Sequence, residues 1–284
     1  MLQEKLDRLG GLLRAVGRVA VAFSGGVDSA FLLKAAVDTL GPTNVVAVTG
    51  KSPSVPAADL EEAAGLAKSL GVEHVLVDPG EFEDANYLAN PTNRCYFCKD
   101  ALYRRMRPLL AERGLAAIVS GTNADDHGDY RPGLLAAKEH AVREPCAEAG
   151  LTKQDIRALS AEMGLPTFDK PASPCLASRV PYGEGITPEK LGMIDRAESK
   201  VREIMKGLAG GGPMPVDCRV RLHGDMARIE VPADWIERLA APAVRARLDA
   251  DLRAVGFHYV SLDLRGFRSG SLNEVIAFGR PQSA

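Results

Sequence analysis

Residues 24–29 read Ser-Gly-Gly-Val-Asp-Ser and follow an apolar run, Val19, Ala20, Val21, Ala22 and Phe23. Glycines such as Gly25 and Gly26 let a backbone come close to a ligand, and the hydroxyls of Ser24 and Ser29 add donors. An apolar helix follows, with Ala30, Phe31, Leu32, Leu33, Ala35 and Ala36. Its free N–H groups and its dipole favour an anion at the turn. Asp28 is placed to hold a metal ion or to cap the helix. The lysine of G-x-x-x-x-G-K-S/T is missing, so nothing here reaches for a γ-phosphate as in that loop. The five cysteines are the second group able to do chemistry. Cys175 lies in residues 166–187, where prolines and glycines forbid regular structure. A cysteine on such a loop is accessible, and a neighbour such as Arg179 favours its thiolate.

Cys95 and Cys98 stand three residues apart at a helix start, so they face the same way. Three readings are open for them. They are a redox pair, or half of a zinc site that lacks a second pair, or two ligands of an iron–sulfur cluster with Cys175 as the third. Cys146 and Cys218 have no partner pattern and are expected to be buried. Arg219 and Arg221 lie two apart on an alternating strand and share a face, which suits bidentate phosphate recognition. A solvated, charged strand face is the competing reading.

The elements that must position these groups alternate. A leading amphipathic helix over Leu2–Val16 precedes the first strand. Strands are expected at 44–49, 74–78 and 116–121, with a short fifth at 141–145. Helices are expected at 56–70, 101–113 and 152–162. This order implies an α/β fold, a parallel sheet with helices on both faces and ligands beyond the C-terminal strand ends. The glycine turn and the segment Gly121, Thr122, Asn123, Ala124, Asp125, Asp126 both fall at such ends. Asp125 or Asp126 can serve Mg²⁺, or the segment is an Asx-rich helix cap. From 187 the character changes: a helix to about 208, a Gly-Pro break, two alternating strands around His223-Gly224-Asp225, a helix broken near Pro242 and a last strand at 259–264. The division expected is a nucleotide domain at 1–170, a cysteine-bearing loop at 171–186 and a small α+β domain with an antiparallel sheet at 187–284.

A formal net charge of −2 gives no global basic field for nonspecific RNA binding. The N-terminal helix carries acidic residues and lacks a signal-peptide apolar region, so a cytoplasmic protein is expected. In that compartment the cysteines are expected to be catalytic, metal-bound or buried rather than disulfide-paired.

The order S-G-G-x-D-S resembles the pyrophosphate loop of the ATP pyrophosphatases, which cleave ATP between the α and β phosphates and adenylate a carboxylate or carbonyl. Together with the segment at 120–126, the stretch from Pro171 to Gly183 and the hairpin from Arg219 to Val231, it resembles the LarE family across nearly the whole chain. That resemblance implies sulfur insertion in the biosynthesis of a nickel-pincer cofactor. A carboxylate of pyridinium-3,5-biscarboxylic acid mononucleotide is adenylated, and a thiocarboxylate is the product. It implies ATP and Mg²⁺ as cofactors, with Ser24, Gly25, Gly26, Asp28, Ser29, Gly121, Asn123 and Asp125 at the nucleotide. Lys51, Ser52 and Ser54 are further candidates near the adenine. Cys175 is the implied sulfur-bearing residue, Glu198 an acid or metal ligand beside it with Glu230 after it, and Arg219 and Arg221 the holders of the substrate phosphate. It also implies a homo-oligomer and, as a partner, the downstream nickel-inserting protein. Two sulfur sources are compatible with it: Cys175 itself, left as dehydroalanine, or sulfide on a 4Fe-4S cluster held by Cys95, Cys98 and Cys175. The Cys95–Cys98 pair favours the cluster. A tRNA-thiolating enzyme and a non-catalytic ATP-binding protein are the alternatives.

Overall fold

Alternating side-chain direction along the first strand sets the layers. In β1 (Val19–Ala22) all four side chains are buried, but they go to different cores. Val19 and Val21 join Leu9, Leu13, Phe31 and Leu32 on one face. Ala20 and Ala22 join Tyr103, Met106 and Ile118 on the other. A strand buried on both faces is what a parallel sheet between two helical layers requires. The computed structural model describes residues 2–128, 131–211 and 217–268, and the chain divides into two compact units, Met1–Ser173 and Pro174–Ala284.

In the first unit, α1 (Leu2–Val16) packs against α2 (Val27–Leu40). β1, β2 (Val45–Gly50), β3 (Glu73–Val77) and β4 (Ala117–Ser120) form one sheet in the order β3-β2-β1-β4. All pairings are parallel, with Val19 opposite Val45 and Ala117. Between strands run α3 (Ala57–Ser69), the short α4 (Ala85–Leu88) and α5 (Arg94–Arg113). After β4 come α6 (Pro132–Glu139), α7 (Pro145–Glu148) and α8 (Lys153–Glu162). Thr152 and Asp155 form a reciprocal capping box at the start of α8. The fifth strand expected at 141–145 is a single parallel bridge between Val119 and Arg143. Ala141, at φ 52°, turns the chain out of extended geometry just before it. α5 begins at Arg94, seven residues ahead of the expected start, so both cysteines of the pair sit within its first two turns.

In the second unit, α9 (Pro188–Ala209) is followed by β5 (Arg219–His223) and β6 (Met226–Glu230), a tight antiparallel hairpin. α10 (Ala233–Ala240) and α11 (Pro242–Val255) then lead to β7 (Tyr259–Leu262). β7 pairs parallel with β6, so the sheet is mixed rather than antiparallel throughout. The reason is the connection: two helices between β6 and β7 form a crossover, which returns the chain in the same direction. Of the Gly-Pro break expected at 210–213, Gly210 ends α9 at φ 58°, while 212–216 and the last stretch, 269–284, lie outside the described residues.

Candidate functional site

The turn after β1 is built around Gly25, which stands at φ +71° and whose added Cβ would lie 3.1 Å from the Cβ of Ala63 on α3. Both facts require glycine. Gly26 is the N-cap residue of α2, and no side chain caps that helix. The hydroxyls close the turn from within. Ser29 Oγ donates to the Gly26 carbonyl at 3.1 Å and accepts from the Ser24 amide at 3.2 Å. Ser24 and Ser29 hydroxyls lie 3.1 Å apart. A glycine turn on an uncapped helix N-terminus, with two serines held at it, offers donors to a phosphate group.

The segment after β4 meets this turn. A Cβ on Gly121 would lie 2.8 Å from Asp28 C and from Ser29 N, so only glycine allows the two loops to touch. Asn123 Nδ2 donates to Asp28 Oδ1 at 3.4 Å, and Lys153 Nζ donates to Asp28 Oδ2 at 2.5 Å. Asp125 accepts the Lys153 backbone N–H at 2.8 Å. Asp126 accepts the Asn123 N–H at 3.0 Å and pairs with Arg131 at 2.8 Å. Asp125 and Asp126 are thus engaged as loop caps. Asp28, in the first turn of α2, is engaged as well, through Asn123 and Lys153, but it stands at the glycine turn itself, and a carboxylate beside phosphate oxygens is the kind of ligand that Mg²⁺ takes.

In the second unit Cys175 is half-buried and is followed by a single 3-10 turn, Leu176–Arg179. Arg179 is 1% exposed and holds this turn in place. Its guanidinium donates to Glu198 Oε1 at 2.9 Å and Oε2 at 3.2 Å. It also donates to the carbonyls of Pro174 and Cys175 and to Ser178 Oγ. Glu198 has no exposure and also accepts from Arg202 at 2.7 Å and from the Val220 N–H at 3.1 Å. Burial by itself raises a carboxyl pKa, yet the Arg179 charge and hydrogen bond, then Arg202 and the Val220 N–H, hold Glu198 below the usual carboxylate range. Arg221 donates to Glu230 Oε1 at 2.7 Å and to the Ser178 carbonyl at 2.9 Å. Arg219, 5% exposed, donates to the Cys218 carbonyl at 2.8 Å and lies over the Phe267 ring at 5.2 Å. Burial, then the nearby Arg179 charge, pushes the Arg219 pKa down, partly offset by Glu198 and Asp217.

Residues 9–110 match the NAD synthase family. A Synechocystis sp. protein described as uncharacterised is 43% identical over 276 residues, spanning 97% of this chain and 99% of its own. The pyridinium-3,5-bisthiocarboxylic acid mononucleotide synthase of Lactiplantibacillus plantarum is 37% identical over 275 residues, spanning 97% of this chain and 96% of its own. The chain belongs to the LarE-like family of PP-loop ATP pyrophosphatases. Use of ATP goes with that family. A tRNA-specific 2-thiouridylase of Xanthobacter autotrophicus is also similar, 31% identical over 196 residues, but spans only 55% of this chain and 49% of its own.

Within this LarE-like chain, the structure brings Ser24, Gly25, Gly26, Asp28, Ser29, Gly121 and Asn123 together around one turn. It gives Glu198 the position of a buried anchor, with both oxygens taken by guanidinium groups. Arg179 serves Glu198 and two carbonyls rather than standing apart as a cation for the thiol. Ser54 lies in a separate buried cluster with Tyr87, 2.5 Å away, and Glu81. Cys146 and Cys218 are buried as expected, and burial pushes both thiols up, Cys218 to about 12, so neither is a reactive thiolate. Cys95 is exposed and Cys98 half-buried on α5. Two soft donors suit iron, but among the described residues no three His, Cys, Asp or Glu side chains gather as a metal site. Cys95 and Cys98 belong to the first unit and Cys175 to the second. Lys153 is the residue that the sequence did not single out. Only its place at the first position of a helix starting 125 residues after Asp28 brings its ammonium group to the loop. No helix among the described residues is long and apolar enough to cross a membrane.

Proposed function

We propose that this chain uses ATP to convert carboxylates of pyridinium-3,5-biscarboxylic acid mononucleotide into thiocarboxylates, with sulfur from Cys175. The observation that carries this reading is the likeness to a synthase of the bisthiocarboxylic acid mononucleotide through 97% of the chain. In the first step a substrate carboxylate attacks the α-phosphorus of ATP, and pyrophosphate leaves. The donors of the Ser24–Ser29 turn and the ammonium of Lys153 hold the departing phosphates. Mg²⁺ bound through Asp28 supplies charge neutralisation when present. In the second step the Cys175 thiolate attacks the acyl carbon, AMP leaves and a thioester forms. Loss of the Cys175 Cα proton and cleavage of its Cβ–S bond then release the thiocarboxylate and leave dehydroalanine.

The second unit contributes recognition and rigidity. Arg219 and Arg221 lie on one face of β5, and Arg221 also ties the Ser178 carbonyl. They hold the phosphate of the mononucleotide. Glu198 fixes Arg179, and Arg179 fixes the Pro174 and Cys175 carbonyls, one on either side of the Cys175 Cα, so the thiol is presented from a rigid turn. The partners proposed are a mononucleotide, a second copy of this chain and a nickel-inserting protein that takes the product.

The test is pyrophosphate release from ATP with and without the biscarboxylate mononucleotide, followed by intact-protein mass. Substrate-dependent pyrophosphate and a protein lighter by the mass of H₂S support the reading. Pyrophosphate release that requires tRNA instead, with a tRNA mobility shift, points to the thiouridylase-like alternative. Nucleotide binding without pyrophosphate release points to a non-catalytic protein.

A further inference from the structure

One carboxylate in the first unit, on the helix that lies against the pyrophosphate loop, holds the segment that leads to Cys175. Asp59 lies in the first turn of α3. Its Oδ1 accepts from Lys170 Nζ at 3.1 Å and its Oδ2 accepts from Ser173 Oγ at 3.0 Å. Lys170 also donates to Glu62 at 2.7 Å. The Lys170 and Asp59 side chains are only 17% and 18% exposed, so their pairing is shielded well beyond that of a surface pair. Arg157 on α8 grips the same segment through the carbonyls of Phe168 and Lys170, each at 2.8 Å. Residues 172–174 have exposed side chains and no regular structure, and Asp59 and Arg157 hold the chain at Ser173 and just before it, at Phe168 and Lys170. Four residues beyond Asp59, on the same face of α3, Ala63 lies against Gly25 of the pyrophosphate loop.

We propose that Asp59 is a positioning residue. It fixes where the tether to Cys175 leaves the first unit, and through α3 it makes that position depend on the pyrophosphate loop. The proposal rests on the sulfur-transfer reading for its catalytic consequence but not for its structural one. Both Asp59 oxygens are given to Lys170 and Ser173, so its role is exerted through the tether. Its loss leaves adenylation in place and slows the thiol step, because a misplacement of about 1 Å costs on the order of a hundredfold in rate.

The experiment uses the full chain as wild type, Asp59→Asn, Lys170→Met and Lys170→Arg. Three readouts are taken: amide exchange at Ala172 and Ser173 with and without ATP and Mg²⁺, substrate-dependent pyrophosphate formation, and the single-turnover rate at which Cys175 is consumed. ATP is expected to slow exchange of the tether in wild type and in Lys170→Arg, and not in Asp59→Asn or Lys170→Met. Pyrophosphate formation is expected to stay within about twofold, while consumption of Cys175 falls tenfold or more in the same two variants. Unchanged exchange and unchanged Cys175 consumption in Asp59→Asn overturn the proposal. So does a parallel fall of both chemical steps, which is the mark of general damage. If wild type makes pyrophosphate and leaves Cys175 intact, the sulfur-transfer reading fails, and the exchange data alone then decide the role of Asp59.

Discussion

Substituting Gly121 by alanine probes the contact on which the proposed nucleotide site depends. The added Cβ would sit 2.8 Å from Asp28 C, 2.8 Å from Ser29 N and 2.9 Å from Asp28 O. These are backbone atoms in the first turn of α2, so no side chain can swing away. Ordinary contact needs about 0.6 Å more, and either the loop after β4 or the start of α2 must shift by that amount. Overpacking of this kind costs about 1–3 kcal/mol. The shift also displaces Asp28 and Ser29 relative to Gly26. A displacement approaching 1 Å at groups that hold a reacting phosphate costs on the order of a hundredfold. The assay pairs a denaturant midpoint with substrate-dependent pyrophosphate formation. Gly65→Ala on α3 is the control, because a Cβ there meets nothing within 4 Å. That helical substitution is expected to stabilise by about 0.5–1 kcal/mol. If Gly121→Ala unfolds at the wild-type midpoint and makes pyrophosphate at the wild-type rate, the close approach of the two loops is not what builds the site.

Glu198→Gln removes the charge that compensates Arg179, which is 1% exposed. Breaking a buried pair from one side costs about 3–5 kcal/mol, so the second unit is expected to lose much of its stability. A change under about 1 kcal/mol in a denaturant titration contradicts the anchor role. Because the Glu198 pKa is lowered in the folded state, its stabilisation is present above the unfolded value of about 4.3 and is lost as pH falls through the folded value. An acid titration of the wild type should show this limb, and Glu198→Gln should lack it. Lys153→Met removes a partly exposed partner of Asp28, so stability should change by about 1 kcal/mol or less. Adenylation should nevertheless fall about tenfold or more if the ammonium meets the departing phosphates. Equal pyrophosphate rates in both proteins would remove Lys153 from the site.

The pyrophosphate loop is legible because its signals are local. Val19 to Phe23 make the strand, the glycines make the turn, and the residues from Ala30 onward make the helix, all within one stretch of chain. The alternation of strands and helices also carries the sheet, since parallel strands demand crossovers. What sequence did not reveal depends on separations that no local pattern encodes. Lys153 reaches Asp28 across 125 residues, and Asp59 reaches Ser173 across 114. Arg179 stands four residues from Cys175 and so reads as a cation for the thiol. Its buried partner Glu198, 19 residues away, instead turns the guanidinium into a brace for the backbone. The parallel pairing of β7 was hidden for a similar reason. Alternating polarity marks a strand, but the direction of its neighbour depends on how α10 and α11 return the chain.

Intact-protein mass spectrometry after a single turnover reads the proposed loss of sulfur from Cys175. The chain is purified without oxygen, assayed for iron, and incubated with ATP, Mg²⁺ and the biscarboxylate mononucleotide, beside Cys95→Ala and Cys175→Ala. Iron-free protein is expected, whose wild-type and Cys95→Ala forms become lighter by the mass of H₂S at Cys175, with thiocarboxylate in the product. Turnover with Cys175 unchanged in mass, and with bound iron that disappears in Cys95→Ala, would contradict that expectation and assign the sulfur to a cluster.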